Sequence, residues 1–533
     1  MRSPAVDVDV CIVGTGAAGG MLAYRLAKLG ISALSVDAGD VVPNSYFDTH
    51  EASNTQEVPD PFNPFNPRAS ALFAEAPVSP VDGFTQHQIL KVGGLQNLWG
   101  GVSLRFSAHD FSGGHGARAW PIGYDDLAPH YAAVEELIGV TGLKEANPEL
   151  PDGSFIEPFP PTRLDRHIQG KLTREPRWSG ITANRKAVET RRAKPNRCRQ
   201  CGMCQNGCPS DSIYKFSSRL LPEIANASNY RLQPNTTVRS LACGRDGTIT
   251  ALRCFDKTRQ AEVTITARRY VLCAGAIETA IILLGSAGAE YPRGLANGNG
   301  LVGRHLMDNP NIVFVALHPG LLFSARETYF GYGNHLLVPA KAPIDPESST
   351  RYLADIYHGN PQLVPLFRRN LPKFIPFRLA ERITFASSLT LLFGPADSHA
   401  DNRVEVRGGQ KRIFYSWTKR DRAVIEALAA EGPQLVRATG GMLLGAYPGG
   451  PGDSIHYAGT CRMSSAPADG VVDSNLRSFD HRNLFICDGS VMPSLPEKHS
   501  ALTIMALASR LATYLASPAG RAAEATAGHV QCN

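Results

Sequence analysis

The stretch Gly14-Thr-Gly16-Ala-Ala-Gly19-Gly20 constrains this chain more than any other. It follows a short apolar run, Val8-Asp-Val-Cys-Ile-Val13, fit for a buried parallel strand. A helical pattern runs on through Leu29, a second apolar run spans Ser32 to Val36, and Asp37 closes it. Strand, G-x-G-x-x-G turn, helix, strand and acid within about 30 residues make a dinucleotide-binding fingerprint. Gly14 provides the tight turn and Gly16 lets a pyrophosphate reach the backbone. Gly19 lets the helix lie against the strand, and the helix N-terminus faces the phosphates. Asp37, with Ala38 after it, stands where a ribose hydroxyl binds. A carboxylate there disfavours a 2′-phosphate, so FAD or NAD is expected rather than NADP.

At 533 residues the chain is too long for one simple core, and two domains are expected. The net charge of +6 is mild for that length and includes no basic run, which argues against nucleic acid as a partner. No apolar run reaches about 18 residues, so no transmembrane segment is expected. The first strand begins by Val8, which leaves no room for a signal peptide, and a cytoplasmic location is expected. Export beside a signal-bearing partner subunit stays compatible with this. Of 11 cysteines, four crowd between residues 198 and 208, which is no secreted disulfide framework.

Residues 46–84 are rich in Pro, Asn and Phe without periodicity and read as an excursion or lid. Gly93-Gly94-Leu-Gln-Asn97-Leu-Trp99-Gly100-Gly101 is a loop whose backbone can press against a flat ring. Trp120 to Ile138 opens and sustains a scaffold helix. Cys198-x2-Cys201-x2-Cys204-x3-Cys208-Pro has the spacing of bacterial ferredoxins. Cys198, Cys204 and Cys208 suffice for a 3Fe–4S cluster, and Cys201 would complete a 4Fe–4S set. A metal-free thiol-rich turn and a zinc site are the competing readings. Residues 231–275 alternate like strands, and Tyr270-Val-Leu-Cys-Ala274-Gly275 reads as a strand returning to the nucleotide sheet. In the stretch Asn299 to Pro310, His305 reads as structural. Residues 311–450 carry no motif and suit a substrate domain.

Near the C-terminus, His456-Tyr-Ala-Gly-Thr-Cys-Arg-Met and His499 flank a buried strand-and-turn segment ending in Asp488-Gly489. Together these stretches resemble the glucose–methanol–choline family of FAD-dependent oxidoreductases. The motifs that carry the likeness are the fingerprint with Asp37, the Gly93 loop, Cys273-Ala-Gly-Ala-Ile-Glu-Thr, Gly303-Arg-His-Leu-Met-Asp, His456-x-x-Gly-Thr-Cys-Arg-Met and Asp488-Gly-Ser-Val-Met-Pro. They run over nearly the whole chain. The closest look is to bacterial sugar and alcohol dehydrogenase subunits that hold an iron–sulfur cluster.

The resemblance implies an α/β fold. A Rossmann-like FAD domain would be built from the discontinuous segments 1–45, 85–135, 210–310 and 451–520. Residues 136–197 and 311–450 would form a substrate domain with a mostly antiparallel sheet, leaving 198–209 as a Cys-rich loop and 521–533 as a tail. His456 matches the family's catalytic base and His499 its partner. Asp488 and Gly489 would lie along the flavin ribityl and pyrophosphate, Ala501 and Leu502 near the flavin pyrimidine edge, and Val238 at the adenine. Some relatives attach FAD through a histidine just before the loop tryptophan. Leu98 stands there, so FAD is expected to be non-covalent. Lys498 either steers an anionic substrate or forms a salt bridge, the latter being favoured. The implied activity is oxidation of a CH–OH group of a sugar, glycoside, polyol or alcohol. The acceptor would be a cytochrome or small subunit for a dehydrogenase and oxygen for an oxidase. A non-redox lyase of the same fold is the alternative.

Overall fold

The computed structural model describes residues 8–47, 72, 83–113, 117–201, 204, 207–208, 210–324, 334–344, 351–358 and 363–522. The expected excursion at 46–84 therefore lies mostly outside the described residues. The chain enters at β1 (Val8–Val13), turns into α1 (Ala17–Lys28) and returns as β2 (Ala33–Val36). Every β2 residue is buried, as expected of a strand covered on both faces. Arg25 and Lys28 occupy the last turn of α1, where cations favour the negative end of the helix dipole.

After a long detour the chain adds β3 (Tyr230–Gln233) beside β2, then β4 (Ala267–Leu272) on the other side of β1. A three-stranded antiparallel sheet over residues 236–265 lies between them in sequence. From β4 the chain passes into α2 (Ala276–Gly285).

It then leaves for a second layer. β5 (Asn311–Leu317), β6 (Asn334–Pro339), β7 (Leu353–His358), a helical pair α3 (Leu363–Asn370) and α4 (Phe377–Phe385), β8 (Ser387–Phe393), α5 (Lys419–Ala438) and β9 (Met442–Pro448) follow in turn. The strands form a six-stranded sheet in the order β9-β5-β8-β7-β6 and then the short strand Thr182–Ala183. All its pairings are antiparallel, as anticipated for the substrate domain. The alternation of strand side chains splits its two faces. Ile312, Phe314, Ala354 and Ile356 pack against α5 and the helix Arg163–Leu172. Leu337 and Leu353 pack the other way, against Val102, Leu104 and Leu150 of the flavin-loop region.

The chain finally returns to the first layer as β10 (Leu484–Ile486), which pairs in parallel with β4, and α6 (Ala501–Ala516). The first sheet thus has the order β10-β4-β1-β2-β3, all parallel. A discontinuous dinucleotide sheet plus an antiparallel second layer is the architecture expected from the sequence.

Candidate active site

The fingerprint folds as its residues require. Gly14 has φ +88°, and a Cβ there would stand 2.6 Å from the Cys273 carbonyl oxygen, so a side chain is excluded twice over. A Cβ on Gly19 would collide with the Gly14 carbonyl, which is how close α1 comes to the turn. Gly16 is different: a Cβ there meets nothing within 4 Å. Directly behind it, α1 begins without a side-chain cap and without an acid in its first turn. Open space over an uncapped helix N-terminus fits a pyrophosphate.

The loop at 93–100 docks on this turn. The Gly93 amide donates to Thr15 Oγ1 at 3.1 Å, and a Cβ on Gly94 would stand 3.4 Å from Gly16 Cα. Asn97 is spent inside the loop, its Nδ2 donating to the carbonyls of Val92 (3.0 Å) and Gly94 (2.9 Å). Trp99 Nε1 donates to the Tyr214 carbonyl at 2.7 Å, and Gly100 follows half-buried. Leu98 is buried among Val42, Leu72 and Ile89, a packing role.

Two expected cofactor carboxylates prove to be braces. Asp37 Oδ2 accepts from Thr15 N (3.0 Å) and Thr15 Oγ1 (2.5 Å), and its Oδ1 accepts from Gly39 N (3.0 Å). Asp488 Oδ2 accepts from Gly275 N (3.0 Å) and Thr279 Oγ1 (2.6 Å), while Oδ1 accepts from Ser490 N (2.8 Å). Burial pushes both carboxyls up from their ordinary value despite these donors. Each thus ties its own glycine turn into shape. Gly275, at φ +89°, has open space where a Cβ would be, and the Ala274 amide is held by Thr279 Oγ1 at 3.2 Å. Ala38 gives its carbonyl to Lys257 Nζ at 2.7 Å. Thr236 N donates to Asp37 O at 2.8 Å, which brings Val238, at the start of a strand bulge, to the acidic end of the fingerprint. Gly489 passes under the Tyr457 carbonyl too closely for a Cβ. Ala501 and Leu502 start α6, again without a side-chain cap. The residues present fit FAD.

The histidines converge. The rings of His456 and His499 lie 4.9 Å apart between centroids, edge to face at 79°. Phe393, at the end of β8, touches both, 5.4 Å from His456 and 5.1 Å from His499. His456 Nδ1 lies 2.9 Å from Asn309 Oδ1. The amide nitrogen of Asn309 already donates to the carbonyls of Gly394 (2.8 Å) and Pro496 (2.9 Å), so its oxygen is the acceptor. His456 therefore carries its proton on Nδ1 and leaves Nε2 as the basic nitrogen. Burial, with His499 beside it, holds the His456 pKa well below 6.5, so the ring is neutral.

Asp308 fixes the backbone that carries His456. Its Oδ1 accepts from His456 N at 2.8 Å and its Oδ2 from Ser454 N at 3.1 Å, a clasp across Ile455. Ile455 has φ +59°, a strained conformation for a β-branched residue. Full burial pushes the Asp308 carboxyl up to about 7 against the pull of these amides. The second layer contributes Asp355 of β7, fully buried, whose Oδ2 stands 3.4 Å from His499 Nε2. That is ion-pair distance without hydrogen-bond alignment. Asn184 Nδ2 donates to Asp355 Oδ1 at 3.1 Å.

Residues 180–311 and 398–508 match the profiles of the N-terminal and C-terminal halves of the GMC oxidoreductase family. The fructose dehydrogenase large subunit of Gluconobacter japonicus is 25% identical over 96% of this chain and 98% of its own. Paromamine 6′-oxidase of Streptomyces fradiae is 26% identical over 95% and 91%. The chain belongs to the GMC oxidoreductase family. Among solved structures, pyridoxine 4-oxidase from Mesorbium loti shares the fold at a TM-score of 0.63 and 19% identity, over 95% of this chain and 99% of that one. Formate oxidase shares it at 0.64 and 14%, over 95% and 97%. As a GMC oxidoreductase the protein uses FAD to oxidise a CH–OH group.

Two further residues of this GMC oxidoreductase are structural. Lys498 is buried, its Nζ 2.5 Å from Asp110 Oδ2 and 3.6 Å from Glu497 Oε1, an internal ion pair rather than a substrate guide. His305, structural as anticipated, bonds Ser398 Oγ through Nδ1 at 3.2 Å, and burial among arginines pushes it down to about 4.

The Cys-rich loop packs as a thiol turn. Cys198, Cys204 and Cys208 pack with Trp99, Phe159, Val188 and Ile213. Gln200 N and Ile213 N approach the sulfurs of Cys198 and Cys208 at 3.3 and 3.4 Å. Burial raises the Cys198 thiol and pushes that of Cys204 up to about 12. Among the described residues no three His, Cys, Asp or Glu side chains are arranged to hold a metal ion, and the donor set including Cys201 does not fit an iron–sulfur cluster as it stands.

Sequence reasoning missed Asn309, Asp308, Asp355 and Phe393. Asp308-Asn309 lay within a stretch already singled out, where only His305 drew notice. Asp355 and Phe393 sit on alternating strands with no local signal.

Proposed function

We propose that this protein oxidises a hydroxyl-bearing carbon of a sugar, glycoside or other polyol, with His456 as the base. The observation that carries this reading is the histidine pair 4.9 Å apart, one member of which is locked by Asn309 into the tautomer a base needs. The lone pair of Nε2 takes the hydroxyl proton as the carbinol C–H bond breaks. FAD held on the fingerprint turn at Gly14, Gly16 and Gly19 would supply the hydride acceptor. His499, edge to face with His456, is placed to hydrogen-bond the same substrate oxygen. Buried Phe393 packs against both rings and holds them in place.

The relatives named for activity on fructose, on paromamine and on 2-methyl-1,2-propanediol support a polyol class. A dehydrogenase is favoured over an oxidase because a large subunit named as such is among them, and its electrons would pass to a small subunit or a cytochrome. The test is a panel of sugars, glycosides, polyols and simple alcohols, read by flavin bleaching under nitrogen and then by oxygen uptake in air. Bleaching by a polyol with slow oxygen uptake supports the reading. Product formed over oxidised flavin means a lyase, and fast oxygen uptake means an oxidase. An iron and sulfide count on anaerobically purified protein decides the cysteine loop, with less than about one iron per chain leaving it a packed thiol turn.

A further inference from the structure

Ten large apolar side chains are strongly exposed among the described residues, and six of them belong to three segments: Phe323, Phe374, Phe377, Met442, Leu443 and Leu444. The sheet brings these segments together. Met442 pairs with Leu317, so the start of β9 lies beside the turn that carries Phe323. Arg382 of α4 donates to the Leu322 carbonyl at 3.4 Å, which ties the same turn to the helical pair α3–α4. Phe374 and Phe323 are 81% and 78% exposed and Phe377 58%, far beyond what scattered surface aromatics show.

The helical pair is also strongly cationic. Residues 363–385 hold Arg368, Arg369, Lys373, Arg378 and Arg382 against a single carboxylate, Glu381. α3 buries Leu363, Val364 and Phe367 on the protein side, and α4 buries Ala380 and Thr384, so the two helices are already seated on the sheet. What remains outward is aromatic and basic together. No described helix is long and apolar enough to cross a membrane, so the feature is interfacial.

We propose that α3–α4 with the Phe323 turn and the start of β9 docks on an anionic lipid surface. Phe323, Phe374 and Phe377 would enter the headgroup–acyl boundary while the lysine and arginines meet lipid phosphates. A second copy of the chain is disfavoured as occupant, because it would set five cations against five. The helical pair interrupts the connection between β7, which bears Asp355, and β8, which bears Phe393. Docking would therefore seat the end of the substrate sheet on the membrane.

The test mixes the full-length FAD-loaded protein with vesicles of phosphatidylglycerol and phosphatidylcholine, or of phosphatidylcholine alone, and measures co-sedimentation at low and high salt. Binding is expected to the anionic vesicles only and to weaken with salt. The double variants Phe374→Ser/Phe377→Ser and Lys373→Glu/Arg378→Glu are each expected to lose affinity by at least about tenfold. Their melting temperature and flavin absorbance serve as controls on folding. Absence of binding to anionic vesicles, equal binding to neutral ones, or wild-type affinity in both folded double variants overturns the proposal. So does a soluble dimer that dissociates on Phe374→Ser/Phe377→Ser while vesicles stay unbound.

Discussion

His456 owes its protonation state to a residue that need never meet substrate. The amide group of Asn309 has both its donors committed to the carbonyls of Gly394 and Pro496, so only its oxygen faces the ring. Two expectations follow for the pH profile. With a pKa depressed below 6.5 by burial and by His499, His456 is neutral at neutral pH, its Nε2 free of a proton. The acid limb of kcat/KM should therefore lie below pH 6.5, with a plateau above it. Asn309→Asp places a carboxylate on Nδ1–H and favours the imidazolium, so that limb should move to higher pH and the plateau rate should hold within about tenfold. A limb that stays in place in Asn309→Asp contradicts the assigned tautomer.

At the scale of the element, the turn before His456 is held against its own preference. Ile455 at φ +59° is strained by roughly 1–3 kcal/mol, and the Asp308 clasp over Ser454 and His456 keeps it in place. The Asp308 carboxyl titrates near 3.8 in an unfolded chain and about 7 in the fold. A raised folded pKa means that its contribution to stability is fully present below the unfolded value and is lost as pH rises through 7. Chemical denaturation between pH 5 and about 8.5 should show wild-type stability falling more steeply with pH than that of Asp308→Asn. Parallel curves would contradict the burial of this acid. The fingerprint turn offers a cleaner separation of fold and cofactor. A Cβ at Gly16 meets no protein atom within 4 Å, and φ is −62° there, so the fold should survive Gly16→Asp. The new carboxylate would face the pyrophosphate, so the purified protein should lack flavin absorbance while retaining its circular dichroism. Full flavin loading of this variant would contradict the placement of the phosphates over α1.

For the molecule as a whole, legibility followed the range of the signal. The strand–turn–helix at residues 8–37 could be read because backbone geometry at Gly14 and Gly19 admits one residue type. The His456 and His499 stretches were recognisable as family motifs, but the spacing alone could not say which nitrogen carries the proton. That information rests on Asn309, far away in sequence and ordinary in composition. Asp355 and Phe393 were unreadable for a different reason. The six-stranded sheet is made of contacts between distant segments, and a lone Asp or Phe on an alternating strand looks like any other. The Cys198–Cys208 spacing could not choose between its two readings, since a packed thiol turn and a metal loop share one pattern. Asp37 and Asp488 were placed correctly at the glycine turns, yet their carboxylates brace those turns internally. In the proposed reaction His456 Nε2 removes the substrate proton as the hydride leaves. The sharpest check is the anaerobic rate of flavin bleaching by the best substrate of the panel, wild type against His456→Ala, by stopped flow. A fall of about 10²–10⁴-fold with FAD still bound is expected; a variant that bleaches at the wild-type rate would remove His456 from the chemistry.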